Sequence, residues 1–135
     1  MSTSRTTNTD EAAIREVIER WAKAVRDKDI ENILANHAAD VLMFDVPPPL
    51  ESKGINAYRK TWDAFFSWSD NPVMFEIQDL HIAAGADVAF AAALMRCAGL
   101  ENGTRVELEF RLTIGFRKTG DQWMIAHEHH SIPAA

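Results

Sequence analysis

From Asp10 to Asp27 the apolar residues Ile14, Val17, Ile18, Trp21 and Val25 recur at steps of three and four, the spacing that lines one face of an α-helix. The opposite face is charged, with Glu11 and Arg15, Glu16 and Arg20, and Glu19 and Lys23 four apart in the favourable order. After a break at Asp27-Lys28-Asp29 a shorter periodic stretch follows, Ile30, Ile33, Leu34 and His37, with Asp29 placed to cap its first turn. Val41 to Val46 is rich in β-branched and large apolar residues and stops at Pro47-Pro48-Pro49, which predicts a short strand. A third helix is predicted after Gly54 from Ile55, Tyr58, Trp62, Phe65 and Phe66.

From Pro72 onward the period changes to alternation. Val73 to Ile82, Val88 to Ala98, Thr104 to Arg117 and Gln122 to Ser131 read as four strands, separated by turns at Gly85-Ala86-Asp87, Asn102-Gly103 and Thr119-Gly120. Such short turns imply an antiparallel meander. Three helices and a short strand followed by four long strands make an α+β pattern, with the helices gathered on one face of a curved sheet. Within Thr104 to Arg117, Val106, Leu108, Phe110, Leu112, Ile114 and Phe116 share one face, while Arg105, Glu107, Glu109, Arg111 and Thr113 share the other.

A chain of 135 residues with 47% hydrophobic and 25% charged residues is expected to form one domain, residues 10–135, behind a short loose leader, residues 1–9. A formal charge of -6 has the wrong sign for a phosphate-backbone binder, so no nucleic-acid or anionic-membrane partner is expected. No apolar run approaches a membrane span, and the polar N-terminus lacks the core of a secretion signal. With the lone Cys97 these features lead us to expect a cytoplasmic protein. No Gly-rich phosphate loop, nucleophile elbow or Cys-His pattern is present, and no cofactor is expected.

Two places carry candidate chemistry. Asp45 ends a short apolar strand before three prolines; partial desolvation there would raise its pKa and suit it to proton abstraction, whereas a solvated turn aspartate would have no such role. In His127-Glu128-His129-His130-Ser131, alternation puts His127, His129 and Ser131 on one face and Glu128 and His130 on the other. His127 and His129 could serve as acid and base, or as ligands of a metal, or be histidines bonded to backbone at the end of a sheet. With only His81 and Asp45 as possible additional ligands, no metal motif is completed and no metal is expected. A two-residue loop at Thr119-Gly120 would pair Ile114 with Ile125 and put both histidines on the apolar face; a three-residue loop would set them beside Arg111 and Thr113. The first gathers Trp123 and Ile125 with Phe116 and Ile114, and is the register expected. Arg96 and Arg111, inside apolar strands, need a partner, by default Glu107, Glu109 or a neighbouring subunit.

The order of elements resembles the nuclear transport factor 2-like superfamily, in its SnoaL-like and ketosteroid isomerase-like branch. The resemblance spans nearly the whole chain. It is carried by Arg20-Trp21, Lys28-Asp29-Ile30-Glu31, His37-Ala38-Ala39-Asp40-Val41, Phe44-Asp45-Val46-Pro47, Lys53-Gly54-Ile55 with Tyr58-Arg59, and then Arg111-Leu112-Thr113, Arg117-Lys118, Gln122-Trp123 and the terminal histidine cluster. It implies a cone-shaped fold whose helices and curved antiparallel sheet enclose an apolar pocket, paired as a homodimer through the sheet. Asp45 falls where ketosteroid isomerases carry the aspartate that moves a proton beside a carbonyl. Trp21 and Thr113 stand where those enzymes have a tyrosine and a second aspartate, so their strong donors are not retained and steroid isomerisation itself is disfavoured. His127 or His129 could replace the missing donor if the last strand points them inward, which makes Asp45, His127 and His129 the expected catalytic residues, in a pocket lined by Trp21, Trp62, Phe66, Arg96, Arg111 and Thr113; the alternative role of the aromatic residues is core packing. The expected function is proton transfer on a small apolar carbonyl-bearing or ring substrate, as an isomerase, cyclase or dehydratase. The alternative is a non-catalytic ligand-binding or dimeric assembly module.

Overall fold

The computed structural model describes residues 3–69 and 74–134, with 3–8 as backbone alone. The elements are α1 (Thr3–Arg26), α2 (Ile30–Leu34), β1 (His37–Phe44), β2 (Ser52–Lys53), α3 (Ile55–Trp68), β3 (Met74–Ala84), β4 (Val88–Glu101), β5 (Thr104–Thr119) and β6 (Gln122–Ser131). The predicted strand start at Val73, the first two leader residues and Ala135 lie outside the described residues. Helix α1 starts at Thr3, inside the stretch read from sequence as a loose leader.

The apolar stripe of α1 is the core face it predicted: Ile14, Val17, Ile18, Trp21 and Val25 are all buried. Each such side chain contributes about 1.5–3 kcal/mol when fully removed from water. Asp29 caps α2, its carboxylate accepting from Asn32 N–H at 3.3 Å. That helix is only five residues long, and His37, expected on its apolar face, instead opens β1.

The six strands form one sheet in the order β2-β1-β6-β5-β4-β3, antiparallel throughout except for the parallel pair β1–β6. The Asn102-Gly103 turn joins β4 to β5 with both residues at positive φ, 53° and 79°, the mirror-image hairpin turn that this dipeptide favours. Three helices pack on one face, over Ala91, Met95, Leu112, Ile114, Phe116, Trp123 and Ile125. Bulges in β3, between Gln78 and His81, and in β6, between Ile125 and His127, bend the sheet into the wall of a cone. No described helix is long and apolar enough to cross a membrane.

Two features correct the expected register: the turn lies at Gly120-Asp121 instead of Thr119-Gly120, so Ile125 pairs with Phe116 and not with Ile114, and a bulge follows in β6. Thr119 pairs with Gln122 across Gly120-Asp121, and Phe116 pairs with Ile125, so Trp123 and Ile125 do reach the core. Ala126 is then an extra residue, and Gly115 pairs with His127, Ile114 with Glu128, Thr113 with His129 and Leu112 with His130. One inserted residue exchanges the two faces of everything beyond it. Glu128 and His130 therefore point into the core, and His127 and His129 stand on the outer face.

Candidate active site

A cavity of about 400 Å³ opens between α3 and the far half of the sheet. Helix α3 supplies Thr61, Trp62, Ala64, Phe65 and Trp68; the strands supply Met43, Phe75, Cys97, Leu108 and Phe110; the end of β1 and its loop supply Asp45, Val46 and Pro47; β6 and the residue after it supply His130 and Ile132. The helical spacing of Trp62, Phe65 and Trp68 places these rings along one wall. Val46, Leu108 and Ile132 are half-exposed and rim the mouth. Burial pushes the Cys97 thiol up to about 11, so this wall group is an uncharged thiol at neutral pH.

The polar end of the cavity is built by two residues. Asp45 directly follows β1, its side chain 20% exposed, and its Oδ1 accepts from the Val46 N–H at 2.8 Å. Nδ1 of His130 lies 3.7 Å from that same Oδ1. The His130 ring stacks on Phe110 at 5.2 Å and meets Trp21 and Trp62 edge-on. Its Nε2 faces Glu128 Oε1 at 3.2 Å.

Glu128 is fully buried, which for a lone carboxylate would be prohibitive. It is surrounded by partners: His37 Nε2 at 2.5 Å and the Tyr58 hydroxyl, which donates at 2.7 Å, on Oε2, and His130 on Oε1. Tyr58 in turn accepts from the Trp21 indole N–H at 3.1 Å and stacks on the His37 ring at 4.4 Å. Desolvation pushes the Glu128 carboxyl up, but the hydrogen bonds and charges of His130 and His37 outweigh it and bring it down to about 2. Burial, reinforced by the Glu128 charge, drives the Tyr58 hydroxyl well above its ordinary range, so it remains a donor.

Of the residues singled out from sequence, Asp45 and Trp62 line the cavity. Trp21 backs its wall, packed edge-on against Trp62 and Phe75. Phe66 lies beneath the Lys28 ammonium, 5.8 Å away, and is not a lining residue. The remaining residues correct the expectation. His127 hydrogen-bonds the Leu42 carbonyl at 2.7 Å, and with His129 it packs around Phe44 on the outer face. Arg96 pairs with Glu107 at 3.0 Å, Arg111 donates to Ser131 at 3.1 Å, and Thr113 is exposed opposite His129, all on that outer face. The physical reason for the histidines is the β6 bulge. For the two arginines and Thr113 it is strand parity, since Met95 and Cys97 on β4, and Leu112 and Ile114 on β5, already occupy the inner positions. Glu128, His130, His37 and Tyr58 carried no site assignment. A carboxylate flanked by imidazoles was the available signal, but its facing depended on the bulge. Among the described residues no group of acidic, histidine and cysteine side chains could hold a metal.

The SnoaL-like domain model matches residues 14–135. A nuclear transport factor 2-like protein of unknown function from Pseudomonas putida KT2440 is 38% identical, with 94% of this chain and 89% of that chain covered and a TM-score of 0.85. A proposed dehydratase of the same superfamily from Streptomyces avermitilis is 18% identical over 96% of this chain and 99% of that one, with a TM-score of 0.83. A proposed aromatic ring hydroxylase from Novosphingobium aromaticivorans is 18% identical over 93% and 91%, with a TM-score of 0.81. None of the functionally curated proteins compared with this chain matches it.

Proposed function

The chain belongs to the SnoaL-like domain family, within the nuclear transport factor 2-like superfamily, and from that premise we propose that it is an acid-base enzyme that moves a proton on a small, flat, apolar carbonyl-bearing or ring compound. The observation that carries this reading is the pair Asp45 Oδ1 and His130 Nδ1, 3.7 Å apart at one end of a cavity walled mainly by aromatic and aliphatic side chains, with Thr61 and Cys97 among them. Two proton acceptors facing one point take a proton from an acidic C–H beside a carbonyl, leaving the enolate, and the same pair returns it to another carbon or to a departing hydroxyl. Isomerisation, cyclisation and dehydration are all served by that exchange. A volume of about 400 Å³ suits a small ring ligand. A proposed dehydratase and a proposed aromatic ring hydroxylase share this fold. The exposed Val88, Phe90 and Leu94 on the outer sheet face favour a homodimer through the sheet.

The test is a titration with 2-naphthol, an aromatic enol, against naphthalene, followed by NMR. In the wild type 2-naphthol binds more tightly, because its hydroxyl donates to the pair. Replacing Asp45 by Asn lowers that affinity about 10- to 100-fold, the worth of a hydrogen bond to a charged acceptor, and leaves naphthalene binding unchanged. Equal affinity of Asp45→Asn and wild type for 2-naphthol removes Asp45 from the chemistry and favours a binding module.

A further inference from the structure

The hydrogen-bond roles around Glu128 can be assigned from the atoms each group faces. His37 Nδ1 lies 3.1 Å from the Ala35 carbonyl, which only accepts, and its Nε2 faces the Glu128 carboxylate, so both ring nitrogens carry protons. The Tyr58 oxygen already accepts from Trp21 and gives its own hydrogen to Glu128. Oε2 thus receives two donors, and Oε1 is left for His130 Nε2 alone. An ionised carboxylate only accepts, so the His130 nitrogen aimed at it is an N–H.

We infer that Glu128, held by His37 and Tyr58, is a positioning residue that keeps the Nε2 proton of His130 in place and presents Nδ1 to Asp45 and the cavity. The proton that His130 gains and loses is then the Nδ1 proton, on the side where a ligand sits. This rests on the reading of Asp45 and His130 as the proton-transfer pair. The groups around the His130 ring are Glu128 from its own strand, Asp45 from the end of β1, Trp21 from α1, Trp62 from α3 and Phe110 from β5, so the two carboxylates are its charged neighbours among the described residues.

The experiment is long-range proton–nitrogen NMR of the full-length, nitrogen-15-labelled chain at pH about 9, above the ordinary imidazole range. The His130 signal is assigned by its loss in His130→Gln. The wild type shows neutral His130 as the Nε2–H tautomer. In Glu128→Gln both tautomers appear, because a neutral amide can offer either its oxygen or its N–H to Nε2. A wild-type ring protonated on Nδ1 overturns the inference, as does an unchanged tautomer in folded Glu128→Gln. Should that variant fail to fold, the wild-type ring decides alone. Asp45→Asn leaves the Nε2–H form in place, so a failure of 2-naphthol to bind counts against the proposed function and not against the role of Glu128.

Discussion

Replacing His37 by leucine keeps a side chain of similar bulk but removes the cation that faces Glu128 in a region where both side chains are fully shielded from water. Removing one partner of a buried ion pair costs about 3–5 kcal/mol, because the remaining charge is left uncompensated. The direction of the carboxyl agrees: desolvation alone would push Glu128 up, yet its hydrogen bonds to His130 and His37 and their charges bring it down to about 2. For 135 residues the unfolding entropy is about 0.28 kcal/mol/K, so His37→Leu lowers Tm by about 11–18 °C. The pH dependence supplies a second signature. The folded carboxyl lies below its ordinary value, so its stabilisation is complete above pH 4.5 and is lost as pH falls toward about 2. In His37→Leu burial is no longer offset by that cation, the carboxyl moves up, and this acid-side loss shrinks. Thermal unfolding followed by circular dichroism from neutral pH down to pH about 3 reads both effects. A Tm change under about 3 °C, or acid profiles that run parallel, would refute the claim that His37 compensates a buried Glu128 charge.

Three further outcomes follow from the packing and the surface. A Cβ on Gly99 would lie 2.7 Å from Ser69 Oγ and 2.8 Å from the Trp68 ring, so Gly99→Ala costs about 1–3 kcal/mol and shifts Trp68 on the cavity wall; an unchanged Tm by calorimetry would show that α3 yields freely there. Phe90→Asp combined with Leu94→Asp places charge on the outer-face patch of Val88, Phe90 and Leu94 and converts the proposed dimer to a 15.1 kDa monomer in light scattering; a variant with the same mass in solution as the wild type refutes pairing through this patch. Deleting Ala126 removes the bulge and exchanges the faces of His127, Glu128, His129 and His130, so the chain loses several kcal/mol in urea unfolding; near-wild-type stability would show that the bulge does not set their facing.

The helix faces, the Asn102-Gly103 turn and the alternation of β5 were legible in the chain because each is a local preference, spent within a few residues of where it is written. The family was legible too, through residues scattered from Arg20 to Ser131. Asp45 could be singled out because an apolar strand and three prolines bracket it. The partner of Asp45 could not. Alternation correctly grouped His127 with His129 and Glu128 with His130, and Trp123 and Ile125 correctly predicted the inner face of early β6. What reversed the outcome was one extra residue, Ala126, against the straight run of β5 and beside a parallel β1. A bulge of that kind is decided by the combined pairing of three strands and by which side chains the core accepts. Here the core accepts a carboxylate because His37, some 91 positions away, Tyr58 and His130 converge on it. Compensation of a buried charge is a property of the assembled interior, and no spacing within β6 encodes it.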